Sequence, residues 1–157
     1  MMSDLLAAFL YAQLEHMDDI TERRQAIWRN YNEAFMPVAE TLHLTLPTIP
    51  NHCVSNCHMY HVRVEHEAAR DSLIAELRKN GILSVFHYVP LHLSPMGEKL
   101  GRCRGDLPVT EREAARLTRL PLFFDLSTAQ HEIIEAVLHW AASLQSNSET
   151  TALNQPT

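Results

Sequence analysis

Residues 85–92 read Val85-Phe86-His87-Tyr88-Val89-Pro90-Leu91-His92 and follow a short apolar run, Ile82-Leu83-Ser84. Pro90 cannot donate a hydrogen bond to a sheet and biases Val89 toward an extended backbone. The pattern therefore predicts a strand over Ile82–Phe86, followed by a stretched loop with exposed polar rings. Loops on a rigid scaffold carry many binding groups, although a histidine-rich surface loop without function is an equally simple interpretation.

The segments before this loop have the periodicities of one strand and one helix. Apolar and polar residues alternate over Met59–Val64, which predicts a half-buried strand. Leucine and isoleucine at helical spacing predict a helix over Glu67–Asn80, with Gly81 just beyond its C-terminus.

Two capping signatures follow the loop. Thr110 with Glu113 predicts a helix over 111–119, and Ser127 with Gln130 predicts one over 128–144. Between the first of these helices and the loop, residues 94–108 hold three of the four glycines and two prolines, so an irregular connection is predicted there.

The chain begins with an apolar helical pattern. Its spacing predicts one long helix over 3–41, or two nearly continuous helices. Residues Leu5–Ala12 are apolar on every side, and such a helix must be buried all round. It is either a central core helix or a helix covered by a second surface; the second is favoured because a terminal helix seldom forms the centre of a core.

The order of elements predicts the fold class. Helices and few strands, arranged helix, strand, helix, strand, helix, helix, suggest an α/β two-layer sandwich. The α/β core spans 42–144, and residues 145–157 form a polar tail predicted to be disordered.

Composition excludes several classes of protein. With 157 residues the chain is about one domain, and its net charge of −6 argues against a nucleic-acid partner. No apolar run approaches the roughly 20 residues of a membrane-spanning helix, and the start Met1-Met2-Ser3-Asp4 lacks the basic region of a signal peptide. Three cysteines, an odd number without framework spacing, predict a reducing, cytoplasmic location.

A metal site is the first chemical candidate. Cys53, Cys57, His58 and His61 have spacings that resemble zinc-ligand pairs. However, His58 and His61 should point to opposite faces of one strand, which scatters ligands. Core cysteines and strand histidines are therefore the favoured interpretation, and a small metal-binding protein is kept only as an alternative.

The lysines and glycines of the sequence argue against Schiff-base chemistry and against a phosphate-binding loop. Only Lys79 and Lys99 occur, and neither has the apolar setting that lowers the pKa of a Schiff-base lysine. No glycine-rich phosphate loop is present. Composition and spacing alone therefore predict no catalytic residue, no metal ligand and no cofactor-binding residue.

Four motifs, in order, resemble the C-terminal part of the DegT/DnrJ/EryC1/StrS family of sugar aminotransferases. They are Met2-Ser3-Asp4-Leu5-Leu6-Ala7-Ala8 with Gln13-Leu14, then Asn56-Cys57-His58-Met59-Tyr60, then Phe86–His92, then Arg119-Leu120-Pro121-Leu122-Phe123. The resemblance covers residues 1–144. It implies the small C-terminal domain of a fold-type I transferase that depends on pyridoxal phosphate, in which the cofactor lysine lies upstream of the matched region.

The resemblance also implies a reaction and partners. The family reaction is amino transfer from an amino acid such as glutamate to C4 of a dTDP-4-keto-6-deoxyhexose, in a homodimer with active sites at the subunit interface. His87, Tyr88 and His92 are the implied substrate-binding residues, and they would orient the nucleotide sugar. This chain alone is expected to bind no cofactor, to be inactive and to self-associate through its first helix; a free-standing, non-catalytic interaction module is the alternative.

Overall fold

Three short strands form an antiparallel sheet at the centre of the chain. The computed structural model describes residues 2–153, with side chains through residue 144. The strands are β1 (Tyr60–Arg63), β2 (Val85–Phe86) and β3 (Leu117–Leu120), in the order β1-β3-β2. The helices are α1 (Asp4–Glu15), α2 (Met17–Phe35), α3 (Glu67–Lys79), α4 (Pro95–Leu100), α5 (Pro108–Arg116) and α6 (Gln130–Leu153).

The N-terminal pattern gives two helices. Ser3 caps α1 by accepting a hydrogen bond from the amide of Leu6, and the backbone of His16 leaves helical geometry, so that α2 starts afresh. The two nearly continuous helices of the prediction are confirmed, but α2 ends before residue 41. Pro37, which has no N–H to donate, lies in a 3₁₀ turn directly after it.

The strand β3 was not predicted and corrects the helix predicted over 111–119. Pro108 begins α5 earlier than expected, and the helix stops at Arg116. Residues 117–120 then alternate between half-buried and buried positions, as a strand should. Thr110 lies inside α5 and not at its N-cap, and Glu113 makes ion pairs with arginines, so the capping box is wrong.

The sheet has one buried and one half-exposed face. Tyr60 and Val62 of β1 are fully buried, whereas His61 and Arg63 lie on the other face. The alternation predicted for this strand is confirmed. The strand predicted over Ile82–Phe86 is reduced to β2, because the buried Ser84 instead hydrogen-bonds to the side chain of Thr118 and the carbonyl of Arg119.

Aromatic side chains join α2 to the buried face of the sheet. Tyr31 stacks on Tyr60 with ring centroids 4.9 Å apart, and Trp28 meets Tyr60 edge-on. The Tyr31 hydroxyl donates to the carbonyl of Pro121 at 2.9 Å. Burial raises the pKa of both tyrosine hydroxyls, so these rings stay neutral.

The C-terminal helices correct two further predictions. A short helix, α4, lies inside the region predicted as irregular over 94–108, capped by Ser94. Ser127 lies in a 3₁₀ turn before α6 and does not cap it, and the buried Gln130 amide donates to the carbonyl of Ile27 at 2.6 Å. Helix α6 runs on to Leu153, so the disordered tail predicted over 145–157 is wrong for 145–153; residues 154–157 lie outside the described residues, and there the disorder stays a prediction.

Within the described part of the chain, no helix has both the length and the apolar character needed to cross a membrane.

Candidate functional site

The loop after β2 is exposed, and its backbone is strained at one residue. Tyr88 has a positive φ of 58°, which a bulky side chain rarely adopts, and its ring is 67% exposed. Pro90 leads into a 3₁₀ turn over Leu91–Leu93. Residues held in unfavourable backbone geometry cluster at ligand sites, so Tyr88 marks this loop as a candidate site.

A pocket lies on each side of the loop. One, of about 410 Å³, is bordered by Glu67, Arg70 and Phe86; we call it the helix-side pocket. The other, of about 380 Å³, is bordered by His87, Glu113 and Leu117; we call it the sheet-side pocket. Tyr88, Val89 and Pro90 line both, so the loop forms the wall between them.

The positive charge in the helix-side pocket is already neutralised. The side chain of Arg70, 11% exposed, contacts the carboxylates of Glu67 at 3.0 Å and Asp71 at 2.7 Å. Its guanidinium also lies 5.8 Å from the centre of the Phe86 ring. This pocket therefore offers mainly apolar and aromatic surface.

The three predicted substrate-binding residues are placed differently. His87 and Tyr88 lie together, with ring centroids 5.3 Å apart, and His87 Nδ1 is buried without a hydrogen-bond partner. His92, 18% exposed, borders neither pocket; its Nε2 lies 3.0 Å from Glu111 Oε1 on α5. The structure thus places His92 where it ties the loop to α5.

The predicted alternative metal ligands are dispersed. Cys53 is exposed, whereas Cys57 is buried with its Sγ 3.8 Å from the carbonyl of Ser55. The His58 ring hydrogen-bonds to Asn56, and His61 lies on the half-exposed face of the sheet. Among the residues that the structure describes, no three metal-ligating side chains converge.

The two lysines do not fit covalent attachment of pyridoxal phosphate. Lys79 is 73% exposed and pairs with Glu76 at 2.9 Å, and Lys99 is exposed in the last turn of α4. A Schiff-base lysine needs desolvation or a neighbouring cation to lower its pKa. Neither lysine therefore has the setting that covalent cofactor chemistry requires.

Sequence reasoning missed Arg119. It lies on β3 beside His61 of β1, and its guanidinium is 5.1 Å from the centre of the Tyr88 ring. The alternation of Leu117-Thr118-Arg119-Leu120 is the signal that could place it on a sheet face, but the helix predicted over 111–119 includes the first three of these residues.

A family model and curated relatives both match this chain over most of its length. The model of the DegT/DnrJ/EryC1/StrS aminotransferase family matches residues 1–138. The erythromycin biosynthesis sensory transduction protein EryC1 of Saccharopolyspora erythraea is 32% identical over 138 residues, which is 87% of this chain and 36% of that protein. The chain thus spans about a third of the length of the curated relatives it matches.

Solved structures show the same partial overlap. DesV of S. venezuelae, in complex with a ketimine intermediate, superposes with a TM-score of 0.76 at 32% identity, over 86% of this chain and 35% of that one. Spr1654 of Streptococcus pneumoniae, solved in its PLP-form, gives a TM-score of 0.75 at 27% identity, over 90% of this chain and 36% of that one.

Proposed function

The chain belongs to the DegT/DnrJ/EryC1/StrS aminotransferase family, and we propose that it is the C-terminal part of a nucleotide-sugar aminotransferase that is inactive alone. The match to the family model over residues 1–138 carries this proposal. The chain spans only about 35% of its relatives, which supports the proposal that it is one part of the whole enzyme. We further propose that it is the small, two-layer domain of a fold-type I transferase.

The proposed reaction is amino transfer from glutamate to C4 of a dTDP-4-keto-6-deoxyhexose. The stretches Met1–Glu15 and Phe86–His92 resemble dTDP-4-amino-4,6-dideoxygalactose transaminase of enterobacterial common antigen synthesis, which supports that substrate. A homodimer in the cytoplasm is the proposed setting. Cys53, Cys57 and Cys103 are free thiols, as a reducing compartment favours.

In this proposal the loop orients the nucleotide sugar. His87 and Tyr88 lie beside the sheet-side pocket, where a ring nitrogen and a phenol can hydrogen-bond to sugar hydroxyls. His92 has one ring nitrogen engaged by Glu111, so it can offer only the other to a ligand. Its larger contribution is to hold the loop against α5.

Pyridoxal phosphate supplies the electron sink of the family reaction when it is bound. The residues of this chain would close the substrate side of the pocket and exclude water from it. Because neither lysine stands in a desolvated position, covalent capture of the cofactor is assigned to a part of the enzyme outside this chain.

Incubation of the chain with pyridoxal phosphate and then borohydride is expected to leave no specific, stoichiometric adduct. Lys79 and Lys99 are exposed and should react only slowly, as surface lysines do. Intact-mass and peptide mass spectrometry measure the adduct. A one-to-one adduct on one of the two lysines would overturn the proposed absence of cofactor binding, provided that the adduct disappears when that lysine is replaced by arginine and persists when the other one is.

His92→Ala is expected to raise KM for the nucleotide sugar when this domain is joined to an intact lysine-bearing domain of the family. Losing a hydrogen bond from the free ring nitrogen of His92 to the substrate costs about 0.5–3 kcal/mol, or roughly 2- to 150-fold in affinity, the upper end if the bonded substrate group is charged. The amino-acid half-reaction should change little, and stopped-flow spectroscopy separates the two steps.

His131→Ala is the matched control for this variant. His131 also lies 3.0 Å from a carboxylate, that of Glu135, but its side chain is 77% exposed on α6. It should leave both half-reactions unchanged. If His92→Ala lowers the melting temperature while the surviving protein has normal kinetics, His92 is structural and its assignment to substrate orientation is wrong.

A non-catalytic interaction module remains the second candidate, favoured by the exposed apolar surface of α1. The genomic DNA upstream of the codon for Met1 distinguishes the two. A lysine-bearing domain in frame supports the aminotransferase, whereas a promoter and ribosome-binding site directly before Met1 support the module.

A further inference from the structure

Basic side chains gather on the half-exposed face of the sheet. His61 and Arg63 lie on β1, Arg119 lies opposite His61 on β3, and His87 follows β2. We call these four residues the basic sheet face. Val85 of β2 pairs with Arg119 on its other side, so Arg119 is at the centre of the row.

The carboxylate beside this face is shared among several arginines. Glu113 is hydrogen-bonded to Arg63 and also contacts Arg112 at 3.0 Å and Arg116 at 4.0 Å. Hydrogen bonds from Arg63 and then Arg112 hold the pKa of Glu113 below its usual range, so its charge is maintained. One carboxylate shared by three guanidinium groups leaves positive charge in excess here, although the whole chain carries −6.

Two polar atoms of this face are buried and unpaired. They are Nε of Arg119 and Nδ1 of His87. Both residues meet the Tyr88 ring, with the Arg119 guanidinium 5.1 Å and the His87 ring centre 5.3 Å from its centre. In the part of the chain that the structure describes, Arg119 forms no ion pair with a carboxylate. Buried polar atoms are normally satisfied, so these two atoms lack the hydrogen-bonding partner that such groups usually have.

Burial and positively charged neighbours both act on His61. Its pKa is lowered by burial first, then by the charges of Arg63 and His87. A histidine surrounded by cations loses its proton more readily, and an anion placed among these groups would reverse the effect.

We propose that the basic sheet face binds an oxyanion of the substrate, held by the Arg119 guanidinium together with the rings of His61 and His87. The planar guanidinium fork matches a carboxylate or a phosphate in bidentate geometry. The identity of the anion rests on the proposed function, whose two substrates carry a diphosphate and carboxylates. Tyr88 positions Arg119 by stacking against its guanidinium.

Histidine-ring NMR of the full chain tests the proposal without cofactor or catalysis. Sodium pyrophosphate and sodium glutarate are added separately at constant ionic strength near pH 6.5, about the ordinary pKa of histidine. Saturable shifts are expected for the rings of His61 and His87, with a rise in the measured pKa of His61. The ring shifts of the exposed His52 should be the same as in a control titration with sodium chloride.

Substitutions then assign the binding to Arg119. Arg119→Gln should raise the dissociation constant at least about tenfold, since a charged hydrogen-bond donor is lost. Arg119→Lys should retain part of the affinity, because the charge stays and the fork is lost. Arg102→Gln, which removes an exposed arginine from the loop before α5, is the charge-matched control and should bind as the unmodified chain does.

The outcomes separate cleanly. Tighter binding of pyrophosphate assigns the site to the diphosphate of a nucleotide sugar, and tighter binding of glutarate assigns it to the amino donor. Shifts that follow ionic strength without saturating overturn the proposal, as does unchanged binding in folded Arg119→Gln or Arg119→Lys. Either failure leaves the proposed aminotransferase function untouched, because that is tested by the lysine-bearing domain and the adduct experiment.

Discussion

Tyr60→Ala is expected to lower the free energy of unfolding by about 3–5 kcal/mol, the usual cost of removing a buried aromatic side chain. The ring is fully buried between α2 and the sheet. It contacts Tyr31 at 4.9 Å and Trp28 at 5.5 Å between centroids, and its hydroxyl donates to Asn32 at 3.5 Å. Alanine would leave a cavity that these rings cannot all close.

Urea denaturation at one fixed protein concentration measures this effect, because self-association would otherwise contribute to stability. Tyr11→Ala is the matched control, compared at a concentration low enough for both variants to be monomeric: the same atoms are removed from α1, where the side chain is 66% exposed. It should change stability by less than about 0.5 kcal/mol. Equal losses in the two variants would show that α2 does not pack on the sheet through Tyr60.

The sequence predicts the elements around Tyr60 correctly because there the local and tertiary signals agree. Alternation over Met59–Val64 has the period of a strand, and the structure buries its apolar members. Gly81, with φ of 73°, follows α3 where the sequence places it, since glycine tolerates this backbone geometry. The spacing of apolar residues and the glycine that ends a helix are local properties, so a single sequence shows them.

The errors arise where a tertiary contact decides between two local possibilities. The segment Leu117–Leu120 continues a helical pattern, but hydrogen bonds to β1 and β2 make it the central strand of the sheet. Glu113 could have capped a helix, yet it pairs with Arg63, which is 50 residues away in sequence. No local pattern shows where a distant arginine lies.

The candidate site divides in the same way. Pro90 and the neighbouring rings predicted the exposed loop, because proline restricts the backbone locally. The basic sheet face was not predictable, since it requires Arg119 to be on a strand beside His61. The strained backbone of Tyr88 was likewise invisible in sequence, because tertiary packing must impose a positive φ on a tyrosine.

The isolated chain is expected to self-associate through α1. Among the described side chains of this helix none is buried, and Leu5, Leu6 and Phe9 are 81%, 59% and 67% exposed. Contiguous apolar surface of this kind marks a surface that another molecule covers. Burying an apolar side chain of this size stabilises an interface by about 1.5–3 kcal/mol. Analytical ultracentrifugation should therefore show a dimer or larger species.

Leu6→Glu with Phe9→Glu should dissociate this assembly, because removing two apolar side chains from the interface raises the dissociation constant roughly a hundredfold or more. Val54→Glu with Leu83→Glu is the matched control, since those side chains are 94% and 74% exposed in loops outside α1. The control adds the same charge and should leave the assembly intact. A monomer at high concentration, or equal dissociation in both double variants, would show that α1 is not the surface through which copies of this chain associate.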